Sequence, residues 1–134
     1  MVDSVSVPVS VGELFDKISI LEIKSARITD DAKLKNIRLE LSLLREVANA
    51  LPNIGIDSSA LEAQLKSVNE TIWDLEERIR ELEKNAKYDG EFIATARAIH
   101  KNNDLRSKIK KELNVLMGSS IVEEKSYGVA GRSQ

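Results

Sequence analysis

The chain has 134 residues, 20 basic and 22 acidic side chains, a formal net charge of −2 and no cysteine. At 42% hydrophobic and 31% charged residues it is rich enough in apolar side chains to fold as one domain. The even charge argues against a nucleic-acid binder that works through a basic face, and the missing cysteine removes disulfides, thiolate nucleophiles and zinc–thiolate sites. A local basic group, Lys108, Lys110 and Lys111, is followed at once by Glu112 and reads as a solvated helix face. The N-terminal MVDSVSVPVS has no basic segment leading into an apolar core, and no run approaches the roughly 18 apolar residues of a membrane span. A cytoplasmic protein with no membrane contact is the expectation.

Residues 1–9 form an arm. Val5, Val7 and Val9 alternate with Ser4, Ser6, Pro8 and Ser10, a period of two that predicts an extended segment with one apolar edge. Pro8 keeps it out of a sheet interior, so the arm should lie on helices or on a partner chain. The first helix should span about 10–28. Ser10 and Glu13 fit a capping box, and Val11, Leu14, Phe15, Ile18, Leu21 and Ile28 form the apolar stripe. Thr29-Asp30-Asp31 supplies a new cap, and a second helix should run over 30–51 on Leu34, Ile37, Leu41, Leu44, Ala48 and Leu51. Leu39, Leu43 and Val47 broaden that stripe to more than half the circumference. The second helix should therefore be central in the fold or covered by a second copy, and a homodimer is expected.

The run Leu51-Pro52-Asn53-Ile54-Gly55 is a break. Leu61, Leu65, Val68, Ile72, Leu75, Ile79 and Leu82 then follow in strict four–three alternation, the seam of a coiled coil or long helical hairpin over about 57–85. A turn at 85–90 leads into a fourth helix over about 90–117, which Gly118 ends. In the tail, 118–134, SIVEEKSY should pack on the body and GVAGRSQ should fray. The architecture expected is all-α: an antiparallel four-helix bundle, or long helical hairpins, with a short extended N-terminal arm.

Each helix carries polar residues on or beside its inward arc. These are Glu22 on the first, Glu40 on the second, Asn69 and Glu76 on the third with Trp73 next to them, and Asn102, Asn103 and Arg106 on the fourth. At 1.5 Å per residue, Glu22, Glu40, Asn69, Glu76, Asn103 and Arg106 fall at roughly similar depths along an antiparallel bundle, so they can meet in one polar band. Arg106 would there face carboxylates of the other helices. The band is either a closed network that fixes register and partner choice, or the lining of a pocket for a small molecule.

Little in the chain points to catalysis. His100 is the only histidine and could pair with Asp104 one turn on, but no Glu-x-x-His repeat or other ligand set accompanies it, so no metal and no cofactor is expected. There is no phosphate-binding glycine loop and no G-x-S-x-G elbow. The run Glu76–Glu81 reads as a surface charge ladder rather than the acidic helix of an all-α nucleotide pyrophosphohydrolase. Lys24, Arg27 and Arg106 make no convincing cationic set of the kind helical chorismate mutases need.

The segments VSVGELFDKISILEIKSARI, KLKNIRLEL, VNETIWDLEERIRE, FIATARAIHKNNDLRSKIKKELN and SIVEEKSY cover almost the whole chain. In them it resembles a family of short bacterial and phage proteins known only as a domain of unknown function. The resemblance implies a small helical protein whose closing EEKSY belongs to the domain, and it carries no catalytic role. The sequence thus leads to a self-associating interaction or binding module of the non-enzymatic kind. The alternative is a small-molecule-binding enzyme or sensor that uses a carboxylate/Arg pocket.

Overall fold

The structure, a computed structural model, describes residues 2–52 and 55–126. Four helices follow one another: α1 (Val11–Arg27), α2 (Asp31–Asn49), α3 (Ser59–Lys84) and α4 (Gly90–Met117). No strand occurs among the described residues. Local chemistry sets the boundaries. Ser10 Oγ accepts the Glu13 N–H at 3.0 Å, Asp30 Oδ2 accepts the Lys33 N–H at 2.9 Å, and Asp89 Oδ1 accepts the Glu91 N–H at 3.1 Å. At the far end of α4, Gly118 takes φ +65°, and the Ser119 N–H reaches back to the Asn114 carbonyl at 2.8 Å. That left-handed glycine closes the helix.

The hub of the bundle is α1. It packs against each of the other three helices, α3 and α4 form an antiparallel hairpin, and α2 contacts neither α3 nor α4. Two apolar clusters result. Leu14, Ile18 and Leu21 of α1 meet Ile37 and Leu41 of α2, while Leu65 and Val68 of α3 meet Ile109 and Leu113 of α4. Phe15 touches both clusters and joins them.

The central position considered for the second helix is therefore taken by the first. Leu34, Ile37 and Leu41 bury one side of α2, and Leu39, Leu43 and Val47 stand exposed on the other. The N-terminal arm lies on no helix either: Val2, Val5 and Val7 are exposed. Its expected frayed counterpart, GVAGRSQ, and Tyr127 lie outside the described residues, as do Asn53 and Ile54 of the interhelical break.

Candidate functional site

Besides its apolar stripe, α1 has a second buried face. Gly12, Asp16, Ser19 and Ile23 recur at steps of four, three and four, and all four are buried. This face meets α4 so closely that a Cβ on Gly12 would lie 2.4 Å from the backbone oxygen of Lys110. Only glycine permits that approach. The contact lets the Gly12 N–H donate to Asn114 Oδ1 at 2.6 Å.

One turn further along, Asp16 is 1% exposed and forms the centre of a polar network. Its carboxylate accepts from Arg106 Nε at 2.9 Å, from a second Arg106 nitrogen, and from Asn69 Nδ2 at 2.9 Å. Lys110 Nζ lies 4.0 Å away and itself pairs with Glu13 at 2.5 Å. Ser19 completes the shell: Asn69 Nδ2 also donates to its hydroxyl at 2.7 Å, and that hydroxyl donates to the Asp16 carbonyl at 2.8 Å. The Arg106 pair is forked, two N–H groups on one carboxylate, the geometry guanidinium groups favour.

Burial pushes the Asp16 carboxyl up, but hydrogen bonds from Arg106 and Asn69, with the charges of Arg106 and Lys110, outweigh it and hold the group below its ordinary 3.8. The hydrogen bond to Asp16 in turn raises the Arg106 guanidinium above its ordinary value. Asp16 is thus a buried, permanently charged carboxylate at neutral pH. Such a group holds helices in place and is a poor proton acceptor.

The C-terminal segment closes the end of this face. Glu123 accepts from Ser10 Oγ and, at 3.3 Å, from Asn114 Nδ2, and Ser119 Oγ accepts the Val11 N–H at 3.2 Å. Burial raises the Glu123 carboxyl, and the Ser10 hydrogen bond, with smaller help from Lys110 and Asn114, brings it below its ordinary 4.5. Lys111 pairs with Glu124 at 3.1 Å. Ser10 and Glu13, expected to cap each other reciprocally, divide their roles: Ser10 caps the helix, and Glu13 crosses to Lys110. Lys110 thereby leaves the solvated face on which it was expected.

Of the residues expected in the polar band, Asn69 and Arg106 meet on Asp16. Glu22 instead pairs with Arg45 at 2.8 Å and with Lys66 at 3.8 Å. Glu40 is exposed, and Glu76 pairs along its own helix with Arg80 at 3.4 Å. Asn103 is half-buried, and Asn102 donates to the Ala98 carbonyl at 2.9 Å. Trp73 donates to Glu77 at 2.8 Å under the Arg27 guanidinium, and His100 is exposed. Sequence reasoning missed Asp16, Ser19, Asn114 and Glu123. The four–three–four spacing of Gly12, Asp16, Ser19 and Ile23 was the available signal for the first two.

Among the described residues no buried side-chain nitrogen or oxygen lacks a hydrogen-bond partner. No group of three or more His, Asp or Glu among them is arranged to hold a metal ion. A cleft of about 340 Å³ lies elsewhere, beside Phe15, Ile18, Glu22, Arg45, Leu51 and Glu62. No described helix is long and apolar enough to cross a membrane.

These features define a small all-α protein built on a hub helix whose polar face is locked by a buried ion pair. Residues 5–132 match a family of unknown function, DUF6165, and the chain belongs to that family. No curated protein and no solved structure matches it significantly.

Proposed function

We propose that the protein is a non-enzymatic, cytoplasmic interaction module that self-associates through the outer face of α2. The observation that carries this reading is the row Leu39, Leu43 and Val47, which are 63%, 49% and 52% exposed on a helix otherwise packed on α1 alone. Large apolar side chains grouped in one row on an exposed helix face mark a contact surface more often than isolated ones do. The Asp16 network supports the same reading from the other side. It spends the Asp16 carboxylate, Asn69 and the Arg106 fork on holding α1, α3 and α4 together. In this reading the network keeps the hub rigid, and α1 in turn presents α2. Sedimentation velocity over a range of concentrations tests it. The wild type should dimerise, and Leu43→Glu should be monomeric, with the melting temperature the wild type has at concentrations where it is monomeric. A wild type that stays monomeric throughout contradicts it.

The second reading, a small-molecule site, has one observation in its favour: the cleft beside the Glu22–Arg45 pair, with apolar Phe15, Ile18 and Leu51. Native mass spectrometry of the protein as purified tests it. A stoichiometric excess mass, lost in Arg45→Ala, would favour this reading over the first.

A further inference from the structure

The charges around the exposed row on α2 carry information about how a second copy sits there. Leu39, Leu43 and Val47 lie at i, i+4 and i+8, along one ridge of the helix surface. Lys35 continues that ridge one turn before Leu39, and Glu46 lies on one side of it: eleven residues at 100° each leave Lys35 and Glu46 only about 20° apart around the axis and about 16 Å apart along it. Glu40 lies on the other side. Lys35, Glu40 and Glu46 are exposed, and none of them is ion-paired among the described residues.

We propose that two copies pair α2 against α2 in an antiparallel, two-fold arrangement, Leu39 of each on the partner's Leu43 and Lys35 of each opposite the partner's Glu46. This rests on the self-association reading above and adds its geometry. In an antiparallel two-fold pair, residues on the same flank face each other when their numbers share one sum. Leu39 with Leu43 and Lys35 with Glu46 agree to within one residue, so the apolar and charged contacts come from a single register. The Lys35–Glu46 ion pair then forms twice, once from each copy.

The parallel alternative is poorer. A parallel coiled coil needs alternating steps of three and four, which would place Asn36 and Glu46 in the seam together with Leu39, Leu43 and Ala50. Each Glu46 would then stand level with its own copy, and the helix dipoles would lie side by side in the same sense. An i, i+4 ridge suits an inclined crossing in which equivalent ridges interdigitate. The contact is small, a pair of helices each about 28 Å long, so it belongs with the weaker, concentration-dependent interfaces. The antiparallel register has two unfavourable elements: it brings the two Glu40 side chains near each other beside the two-fold axis, and it sets Val47 of each copy against the partner's Lys35 stem instead of an apolar side chain.

Charge exchange in the full-length chain, read by sedimentation equilibrium at low salt, tests the arrangement. Lys35→Glu and Glu46→Lys should each weaken dimerisation about five-fold or more, since each variant sets like charges opposite each other twice. The double variant Lys35→Glu/Glu46→Lys should return to within about two-fold of wild type. Glu40→Gln should tighten association. All of these positions are exposed, so circular-dichroism melts should stay close to wild type and confirm folding. Failure of the double variant to recover overturns the antiparallel register. Recovery in Lys35→Glu/Glu40→Lys instead overturns it in favour of the parallel pair. If Leu43→Glu abolishes the dimer while every charge variant leaves it unchanged, the register falls and self-association stands. If the wild type is monomeric throughout, both fall.

Discussion

Replacing Arg106 with leucine should cost about 3 kcal/mol of stability at neutral pH, the lower end of the range for breaking a buried ion pair from one side. The structure explains the choice within that range. Asp16 is 1% exposed and would lose both guanidinium hydrogen bonds, leaving Asn69 Nδ2 at 2.9 Å and Lys110 Nζ at 4.0 Å. The Arg106 side chain is 29% exposed, so some solvent reaches the place it leaves. For a domain of this size about 3 kcal/mol corresponds to a fall of roughly 10 °C in melting temperature. The pH dependence is the sharper check. In the wild type the Asp16 carboxyl is held below its ordinary 3.8, so its contribution is present above that value and is lost as pH falls through the native one. In the variant, burial is opposed only by Asn69 and Lys110. The group then protonates more readily when folded than when unfolded, and acidification relieves the penalty. Urea titrations followed by circular dichroism at pH 7 and near pH 3 should therefore show the gap between the two proteins shrinking in acid. A loss under about 1 kcal/mol at pH 7, or the same loss at both pH values, would refute a buried, charge-neutralised Asp16.

The wild type itself should lose stability as pH falls below about 4, because Asp16 and Glu123 are both held below their ordinary values. Asp16→Asn should flatten that acid limb in a pH series of thermal melts. Gly12→Ala should destabilise by at least about 1–2 kcal/mol in denaturant titration, although alanine normally gains about 1 kcal/mol over glycine inside a helix. The added Cβ would sit 2.4 Å from the Lys110 backbone oxygen, and α1 and α4 must separate to admit it. Glu22→Gln should change stability by less than about 1 kcal/mol in the same titration, since Glu22 and its partners Arg45 and Lys66 are all solvent-accessible.

Helix positions and caps were legible because they depend on near neighbours. Ser10 and Asp30 cap as short-range hydrogen bonding dictates, and the four–three seam of α3 faces α4. That Arg106 interrupts its stripe to meet a carboxylate was also legible, and so was the part of Asn69. Which carboxylate they meet was not. Glu22 lies within the apolar arc of α1, whereas Asp16 lies about 120° around the helix from it. An apolar arc reveals one packed face per helix, and a hub helix has two. The second face of α1 is made of glycine, aspartate and serine, which carry almost no hydrophobic signal. Once α1 takes the central place, α2 is left outside with Leu39, Leu43 and Val47 uncovered. Its breadth was visible in the sequence, but which of the two expected sites would cover it depends on how four helices share one core. The Glu123 contacts with Ser10 and Asn114 join opposite ends of the chain, and no local pattern announces them.

Self-association through α2 is tested most directly by sedimentation velocity on wild type and Leu43→Glu side by side, with a circular-dichroism melt of each. The expected result is a concentration-dependent dimer for the wild type and a monomer for Leu43→Glu, with melts that superimpose at concentrations where the wild type is monomeric. A wild type that remains monomeric at every concentration, or a Leu43→Glu protein that still dimerises, would contradict it.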